Sequence, residues 1–217
     1  MNKPGTQKRN HDKYDEILIA AKKLFSEQGY EVTTVRQIVD EAHTSMGNLY
    51  FHFPNKLSIL QTICKNYIDI LREQIAQVHE LGFCPEVGFA LDLKIGYINT
   101  LENPKLFPLW LVIRRIPEIY QNNIENKKIR LQKFFGDQIE PEEIDYLAIA
   151  IQGIVDSFYE QKGEGKLAGD SISPGYRIID CVLRLLGFSR SRIKEVIGEV
   201  ENYIRQNHIT IADFFKI

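Results

Sequence analysis

The sequence has few of the features that mark a secreted, membrane-bound or metal-binding protein. Its 217 residues include only three cysteines, which lie far apart and form no CxxC pair. Such thiols are typical of a reduced interior, so we expect neither a disulfide framework nor a metal centre. No apolar run approaches the roughly 18 residues that a membrane-spanning helix needs, and the charged N-terminus lacks the apolar core of a signal peptide. These absences predict a soluble, cytoplasmic protein without a cofactor.

The sequence also lacks sustained alternation of apolar and polar residues, glycine-rich phosphate loops and HExxH motifs. Alternation is typical of half-buried strands, whereas apolar residues here recur every three or four positions, the period of an amphipathic helix. We therefore predict an all-α protein. The predicted helices cover about 12–28, 35–42, 45–51, 56–80, 86–102, 104–120, 123–136, 141–162, 175–187 and 190–206.

The charge balance excludes little. The net charge is −2, with eight basic and seven acidic side chains in residues 1–56 and 19 and 22 in the remainder. The mild positive excess near the N-terminus is where a phosphate backbone would lie, although a solvated surface explains it almost as well.

The strongest local pattern runs from Thr33 to Lys56 and reads TTVRQIVDEAHTSMGNLYFHFPNK. Thr34 begins a capping box for a first short helix, and a second short helix over 45–51 has Leu49 as its one aliphatic anchor. The second helix and its flanks are otherwise rich in small and hydrogen-bonding residues, which suits a helix lying in a major groove. They are Thr44, Ser45, Gly47, Asn48, Tyr50 and His52. The pattern predicts a helix-turn-helix, with an ordinary corner of two helices as the alternative from spacing alone.

A longer run, from Tyr14 to Leu60, contains a distinctive set of residues. They are Phe25, Gly29-Tyr30, Thr33-Thr34-Val35-Arg36-Gln37-Ile38, Ala42, Ser45, Gly47, Leu49-Tyr50 and His52-Phe53-Pro54-Asn55-Lys56. This set resembles the DNA-binding domain of the tetracycline-repressor (TetR) family. Three positions depart from the family pattern, since His43 stands where glycine is usual, Thr44 replaces a common valine and Met46 a common lysine. Histidine tolerates the left-handed backbone conformation better than most residues, so the turn is expected to persist.

The resemblance implies an all-helical, dimeric, ligand-responsive transcriptional regulator that binds a palindromic DNA operator through the helix 45–51. Repression is the family default, and activation stays open. We predict a DNA-binding domain over 1–56 and a ligand-binding and dimerisation domain over 57–217, with the long helix 56–80 as the lever between them. Composition and family position predict DNA contacts at Thr33, Thr34, Thr44, Ser45, Met46, Gly47, Asn48, Tyr50, His52 and Lys56.

Large apolar and aromatic side chains at helical spacing follow in the central part of the chain. They are able to line an apolar cavity for a small, apolar effector, which is where the resemblance places the effector pocket. A plain hydrophobic core is the alternative, and Arg114 is placed either to meet an anionic head group or to pair with Glu118. The predicted ligand-binding residues are Phe89, Leu93, Tyr97, Phe107, Trp110, Ile113, Arg114 and Tyr159.

The helix predicted over 141–162 is apolar on two sides and therefore needs two partners. A two-fold four-helix interface formed with the helix 175–187 would cover both sides, and helices of the same chain are the alternative. The helix 190–206 has no role assigned from the sequence. The predicted dimer-interface residues are Ile144, Ile151, Val155, Ile179, Val182 and Leu186.

Two other functions are alternatives to DNA binding. A helical enzyme could use His43 and His52 with Asp40 and Glu41, but these carboxylates lie on the solvent side of a helix and no third ligand has metal spacing. A regulator that binds another protein in place of DNA is favoured only by Met46, where a basic residue is missing. We predict no catalytic and no metal-binding residue.

Overall fold

The computed structural model describes residues 4–79, 82–104, 106–167, 173–207 and 209, with side chains from residue 13 to 69 in the first range. These residues form helices and connecting turns without a strand, so the predicted all-α class is confirmed. In chain order the helices are α1 (Pro4–Glu27), α2 (Val35–Glu41), α3 (Met46–His52), α4 (Lys56–His79), α5 (Pro85–Asn99), α6 (Phe107–Ile113), α7 (Pro117–Phe135), α8 (Pro141–Gly163), α9 (Pro174–Leu185) and α10 (Arg190–Gln206).

The described residues divide into two compact units, one ending at Ile70 and the other beginning at Leu71. The boundary lies within α4, which is one continuous helix. The division therefore assigns the first part of α4 to the first unit. The predicted domains, 1–56 and 57–217, stay a prediction.

The first unit is built from α1, α2, α3 and the start of α4. Helix α1 begins at Pro4, earlier than predicted, and ends before Gly29, whose φ of 93° is the left-handed conformation expected of a residue that follows a helix. Both α2 and α3 pack against α1. The buried apolar side chains of this core include Ile17, Leu18, Phe25, Ile38, Leu49, Phe53, Ile59, Leu60 and Ile63.

The second unit is arranged around α5. Helices α7, α9 and α10 all pack against α5, and α8 packs against α7 and α9. Because α5 is surrounded, the side chains from Val87 to Ile95 are all buried, including those of Asp92 and Lys94. Helix α10 contacts both α5 and α9 through a buried stripe, so it belongs to the core of this unit.

One predicted helix boundary is wrong. The sequence pattern predicts helices over 104–120 and 123–136, but the chain breaks at Arg114–Ile116 and then continues as one helix through α7. The physical reason is Pro117, which has no N–H to donate within a helix and occupies the first turn of α7. Ile116 before it is extended, with φ −72° and ψ 124°, as the residue preceding a proline prefers.

Candidate functional site

The helix α3 presents an exposed surface on the first unit. Its inner side is held by Leu49 and Phe53, which are both buried. Apart from the half-buried His52, the rest of the helix is exposed. The exposed residues, which we call the α3 surface, are Ser45, Met46, Gly47, Asn48, Tyr50 and Phe51.

Hydrogen bonds at the start of α3 fix the orientation of its polar residues. Ser45 is the N-cap, and its Oγ accepts from the backbone N–H of Asn48 at 3.2 Å. The Asn48 side-chain amide donates to Thr44 Oγ1 at 3.3 Å. Thr44 and Asn48 therefore support each other, and the Asn48 carboxamide is held at the exposed end of the helix.

The turn between α2 and α3 has the conformation that the sequence predicts. His43 has a φ of 45°, which confirms that histidine adopts the left-handed conformation where the family usually has glycine. The predicted capping box at Thr34 is also present, because its Oγ1 accepts from Gln37 N while Gln37 Oε1 accepts from Thr34 N. These two features fix α2 against α3.

Three further predicted DNA contacts also have internal partners. Thr33 is buried and its hydroxyl donates to Gly29 O at 2.7 Å, so its side chain stabilises the loop before α2. Lys56 Nζ donates to Tyr30 O and Thr33 O, each at 2.8 Å, and lies 4.2 Å from the Tyr30 ring centroid. The half-buried His52 ring packs against the Tyr14 ring with centroids 5.7 Å apart. The sequence did not indicate these internal roles.

In the second unit, several predicted ligand-binding residues meet around Tyr159. Its hydroxyl lies 2.5 Å from the Thr100 hydroxyl, and the Phe107 ring stacks on its ring with centroids 6.1 Å apart. Arg114 Cζ lies 5.8 Å from the same ring centroid. Burial raises the pKa of Tyr159 above its ordinary value, so the phenol stays protonated.

Arg114 pairs with residues other than Glu118, the partner that the sequence suggests. It is buried, and it donates to Asp156 Oδ1 at 2.7 Å and to Glu160 Oε1 at 3.1 Å, both on α8. The expected solvated pair with Glu118 is therefore wrong. Arg114 keeps a helical backbone at the C-terminus of α6, and its guanidinium faces α8.

The remaining predicted ligand-binding residues are more scattered. Leu93, Tyr97 and Ile113 are buried, while Trp110 is half-buried. Phe89 lies in a separate aromatic group, with ring centroids 5.3 Å from Phe135 and 5.9 Å from Phe134. Its position in that packed group favours a core role for Phe89.

A buried polar chain continues from Arg114 and was not predicted from the sequence. Gln152 Nε2 donates to Asp156 Oδ2 at 3.0 Å, and Gln152 Oε1 accepts from Lys127 Nζ at 2.5 Å. Lys127 and Gln152 are both buried. A lysine and a glutamine within amphipathic helices are expected to face solvent. The hydrophobic periodicity therefore did not predict that they are buried.

The single chain itself covers most of the residues predicted for the dimer interface. Five of its six residues are buried within the single chain, namely Ile144, Ile151, Val155, Ile179 and Val182, and Leu186 is half-buried. The same-chain alternative is therefore correct for these side chains. The opposite side of α8 is exposed, and this outer face of α8 consists of Tyr146, Ile149, Ala150 and Gly153.

The residues of the enzyme alternative do not converge. Glu41 Oε1 pairs with Lys23 Nζ at 2.7 Å, His43 is exposed at the turn, and His52 packs on Tyr14. Within the described residues, no group of three His, Cys, Asp or Glu side chains is arranged to hold a metal ion. None of the described helices combines the length and apolarity needed to cross a membrane.

Comparison with known proteins agrees with this geometry. Residues 17–63 match the model of the family described as bacterial regulatory proteins, tetR family. The chain is similar to the uncharacterized HTH-type transcriptional regulator YuxN of Bacillus subtilis (strain 168), with 29% identity over 156 residues that cover 66% of this chain and 53% of YuxN. It is also similar to the HTH-type transcriptional regulator QacR of Staphylococcus aureus (strain Mu50 / ATCC 700699), with 45% identity over 119 residues that cover 53% of this chain and 60% of QacR.

The solved structures include one of RolR in complex with resorcinol. It superposes with a TM-score of 0.66 at 15% identity and covers 88% of this chain and 95% of RolR, a likeness that shows the fold. The matched segments span about half of YuxN and of QacR. These relatives are transcriptional regulators and not enzymes. Residues 17–63 therefore belong to the tetR family of bacterial regulatory proteins, and the chain has the same fold as the solved structure of RolR.

Proposed function

We propose that this chain is a homodimeric repressor that binds a palindromic operator through α3 and leaves it when a small effector binds the second unit. The α3 surface carries the proposal, since it exposes polar and small residues on a helix anchored from beneath by Leu49 and Phe53. The matched family domain covers this helix.

The chemistry of the α3 surface suits DNA. The carboxamide of Asn48 both donates and accepts, which is the pattern that an adenine edge requires, and the hydroxyls of Ser45 and Tyr50 suit phosphate oxygens. Gly47 has no side chain to hold the helix away from the groove. Met46 on this surface, and Thr34 and Thr44 beside it, complete the proposed contacts. Phe51 was not among the predicted DNA contacts, but it is 71% exposed on this surface and is proposed as an apolar contact.

Dimerisation is proposed on the outer face of α8. Tyr146 and Ile149 are 76% and 52% exposed, which leaves apolar area that a second copy would cover. Ala150 and Gly153 are small enough for two helices to approach closely. Leu185 on α9, the helix that follows, is also exposed and is proposed as a further contact of this dimer interface. Two copies would present their α3 helices to half-sites about 34–36 Å apart.

The proposed effector binds the second unit near Tyr159. Phe107 stacks on that ring and, like Trp110, is half-buried, so these residues suit the apolar part of a ligand. An effector that favours one dimer conformation by about 1–3 kcal/mol is enough to shift operator occupancy. Because α4 carries residues of both units in one helix, it is the proposed lever, and the cytoplasm is the proposed location.

The test is a gel-shift titration with the DNA upstream of the protein's own gene, at several salt concentrations. Asn48→Ala should weaken binding to the operator by about 10- to 100-fold while leaving non-specific binding nearly unchanged. Asn122→Ala, at an exposed position of α7, is the matched control and should bind as the wild type does. A folded dimer that binds no DNA would reject the proposal and favour a protein partner at the α3 surface.

A further inference from the structure

The interior of the second unit contains a lysine whose charge is poorly matched. Lys127 on α7 is 8% exposed, and its Nζ donates to the neutral Gln152 Oε1 at 2.5 Å and to the backbone oxygen of Asn123 at 3.4 Å. Among the described residues, Lys127 has no carboxylate within ion-pair distance. A buried ammonium normally has an anionic partner, because desolvation of an isolated charge is costly.

The neighbouring cations differ from Lys127 in this respect. Arg114 on α6 pairs with Asp156 at 2.7 Å, and Arg130 on α7 pairs with Asp92 of α5 at 3.1 Å. Asp156 and Asp92, the two carboxylates that act electrostatically on Lys127, are therefore each engaged by an arginine. A negative group brought by a ligand would give Lys127 the partner that the chain does not supply.

A second polar group in the same interior lacks a partner. The hydroxyl of Tyr97 on α5 is buried and has no hydrogen-bond partner in the described part of the chain. The Arg130–Asp92 ion pair joins α7, which carries Lys127, to α5, which carries Tyr97. Tyr97 also lies one helical turn before Thr100, whose hydroxyl contacts Tyr159. An unsatisfied buried hydroxyl costs free energy unless a ligand satisfies it.

We propose that this interior binds the carboxylate of a small organic acid, with Lys127 as its cationic partner and Tyr97 as a further hydrogen-bond donor. The inference rests on the proposed effector site and names the chemical class of its ligand. The apolar part of the acid would lie toward Phe107 and Trp110, which are half-buried. The sequence predicts an apolar effector, and the proposed effector is an apolar molecule that also carries one acidic group.

The protonation of Lys127 gives the proposal a measurable signature. Burial lowers the pKa of Lys127 to about 7, with Arg130 lowering it further and Asp156 and Asp92 raising it. The ligand-free lysine is thus partly neutral near pH 7. A bound carboxylate raises its pKa, so binding takes up a proton, and affinity should fall as pH rises above about 7.

The experiment uses isothermal titration calorimetry on the full chain, with benzoate, 3-hydroxybenzoate and octanoate as probes and their neutral amides as controls. At least one acid should bind the wild type and change the emission of Trp110, the only tryptophan. The same acid should bind Lys127→Met about 10- to 100-fold more weakly, since a hydrogen bond to a charged group is lost. Proton uptake, measured in buffers of different ionisation enthalpy, should disappear in that variant.

Lys128→Met is the matched control. Lys128 is the next residue on α7, but its Nζ pairs at 2.8 Å with Asp145 and is more exposed, so this variant should bind the acids as the wild type does. Tyr97→Phe should fold at least as well as the wild type, because it removes an unsatisfied hydroxyl, and should bind the acid several-fold more weakly.

Three outcomes would overturn the inference: equal binding of an acid to wild type and Lys127→Met, equal binding of an acid and its amide, or no binding of any acid up to about 1 mM. Operator binding by the ligand-free protein is measured on the same samples. Failure of the acids with operator binding intact rejects the inference alone. Acid binding by a protein that binds no operator rejects the proposed function and leaves the acid site standing.

Discussion

The outer face of α8 allows a test that separates dimerisation from folding. Ile149 is 52% exposed and Ile151, two residues along the same helix, is fully buried. Ile149→Glu places a carboxylate on the proposed contact, whereas Ile151→Glu places one in the core of a single chain. The same chemical change therefore has two different expected results.

The magnitudes follow from burial. The exposed half of Ile149 is worth about 1 kcal/mol of apolar burial in a dimer, and an unpaired polar group at the contact costs about 1–3 kcal/mol more. Two-fold symmetry doubles the loss, so the dimer is weakened by about 4–8 kcal/mol, or roughly 10³-fold or more in Kd. Ile151→Glu instead destabilises the chain itself by about 3–5 kcal/mol or more, through lost packing and an unpaired buried charge.

Multi-angle light scattering at micromolar protein concentration, with circular dichroism as the check on folding, distinguishes these outcomes. Ile149→Glu should be helical and monomeric, and Ile151→Glu should lose helical structure. Ile19→Glu is the control, because Ile19 is 53% exposed on α1 of the first unit. A helical, dimeric Ile149→Glu protein with the wild-type Kd would refute the assignment of the outer face of α8 as the interface.

Four further predictions concern local contacts. Thr34→Ala removes the capping box and should lower the stability of α2 by about 1 kcal/mol, measured as faster hydrogen exchange of its amides. His43→Gly relieves the left-handed strain and should slow the same exchange, with a gain of up to about 1 kcal/mol. Lys56→Ala should lower the melting temperature and leave the salt dependence of DNA binding unchanged, because the ammonium is already held by carbonyl oxygens of residues 30–33. If the slope of log K against log salt concentration instead fell by about one, Lys56 would contact a phosphate. Lys127 has a folded pKa of about 7 against an ordinary 10.5, so the unfolded chain binds the extra proton between these values. The free energy of unfolding should therefore rise with pH across that window relative to Lys127→Met, and equal pH profiles in urea titrations would contradict this.

The local signals in the sequence predicted the first unit well. The capping box at Thr34, the left-handed turn at His43 and the buried Leu49 each depend on residues within a few positions of one another. Such short-range chemistry can be read without knowing the rest of the fold. The internal hydrogen bonds of Lys56 could not be predicted in this way, because its carbonyl partners lie 23 to 26 residues earlier in the chain.

The apolar stripes of α8 show what periodicity leaves undecided. A helix with two apolar sides needs two partners, but the pattern does not say which side faces its own chain. The wider aliphatic stripe, with Ile144, Ile151 and Val155, packs on the core. The side with Tyr146, Ile149, Ala150 and Gly153 is left exposed.

The polar interior of the second unit depends on tertiary structure in a different way. Arg114 at the C-terminus of α6 donates to Asp156, and Asp156 in turn accepts from Gln152, whose side-chain oxygen accepts from Lys127. Each residue alone reads as part of a solvated helix face. Their convergence requires α6, α7 and α8 to be packed together, so the chemistry of the proposed ligand follows from tertiary packing and not from any local motif. An effector that interrupts this chain at Gln152 would act on three helices at once, which is the kind of coupling that a ligand-dependent regulator needs.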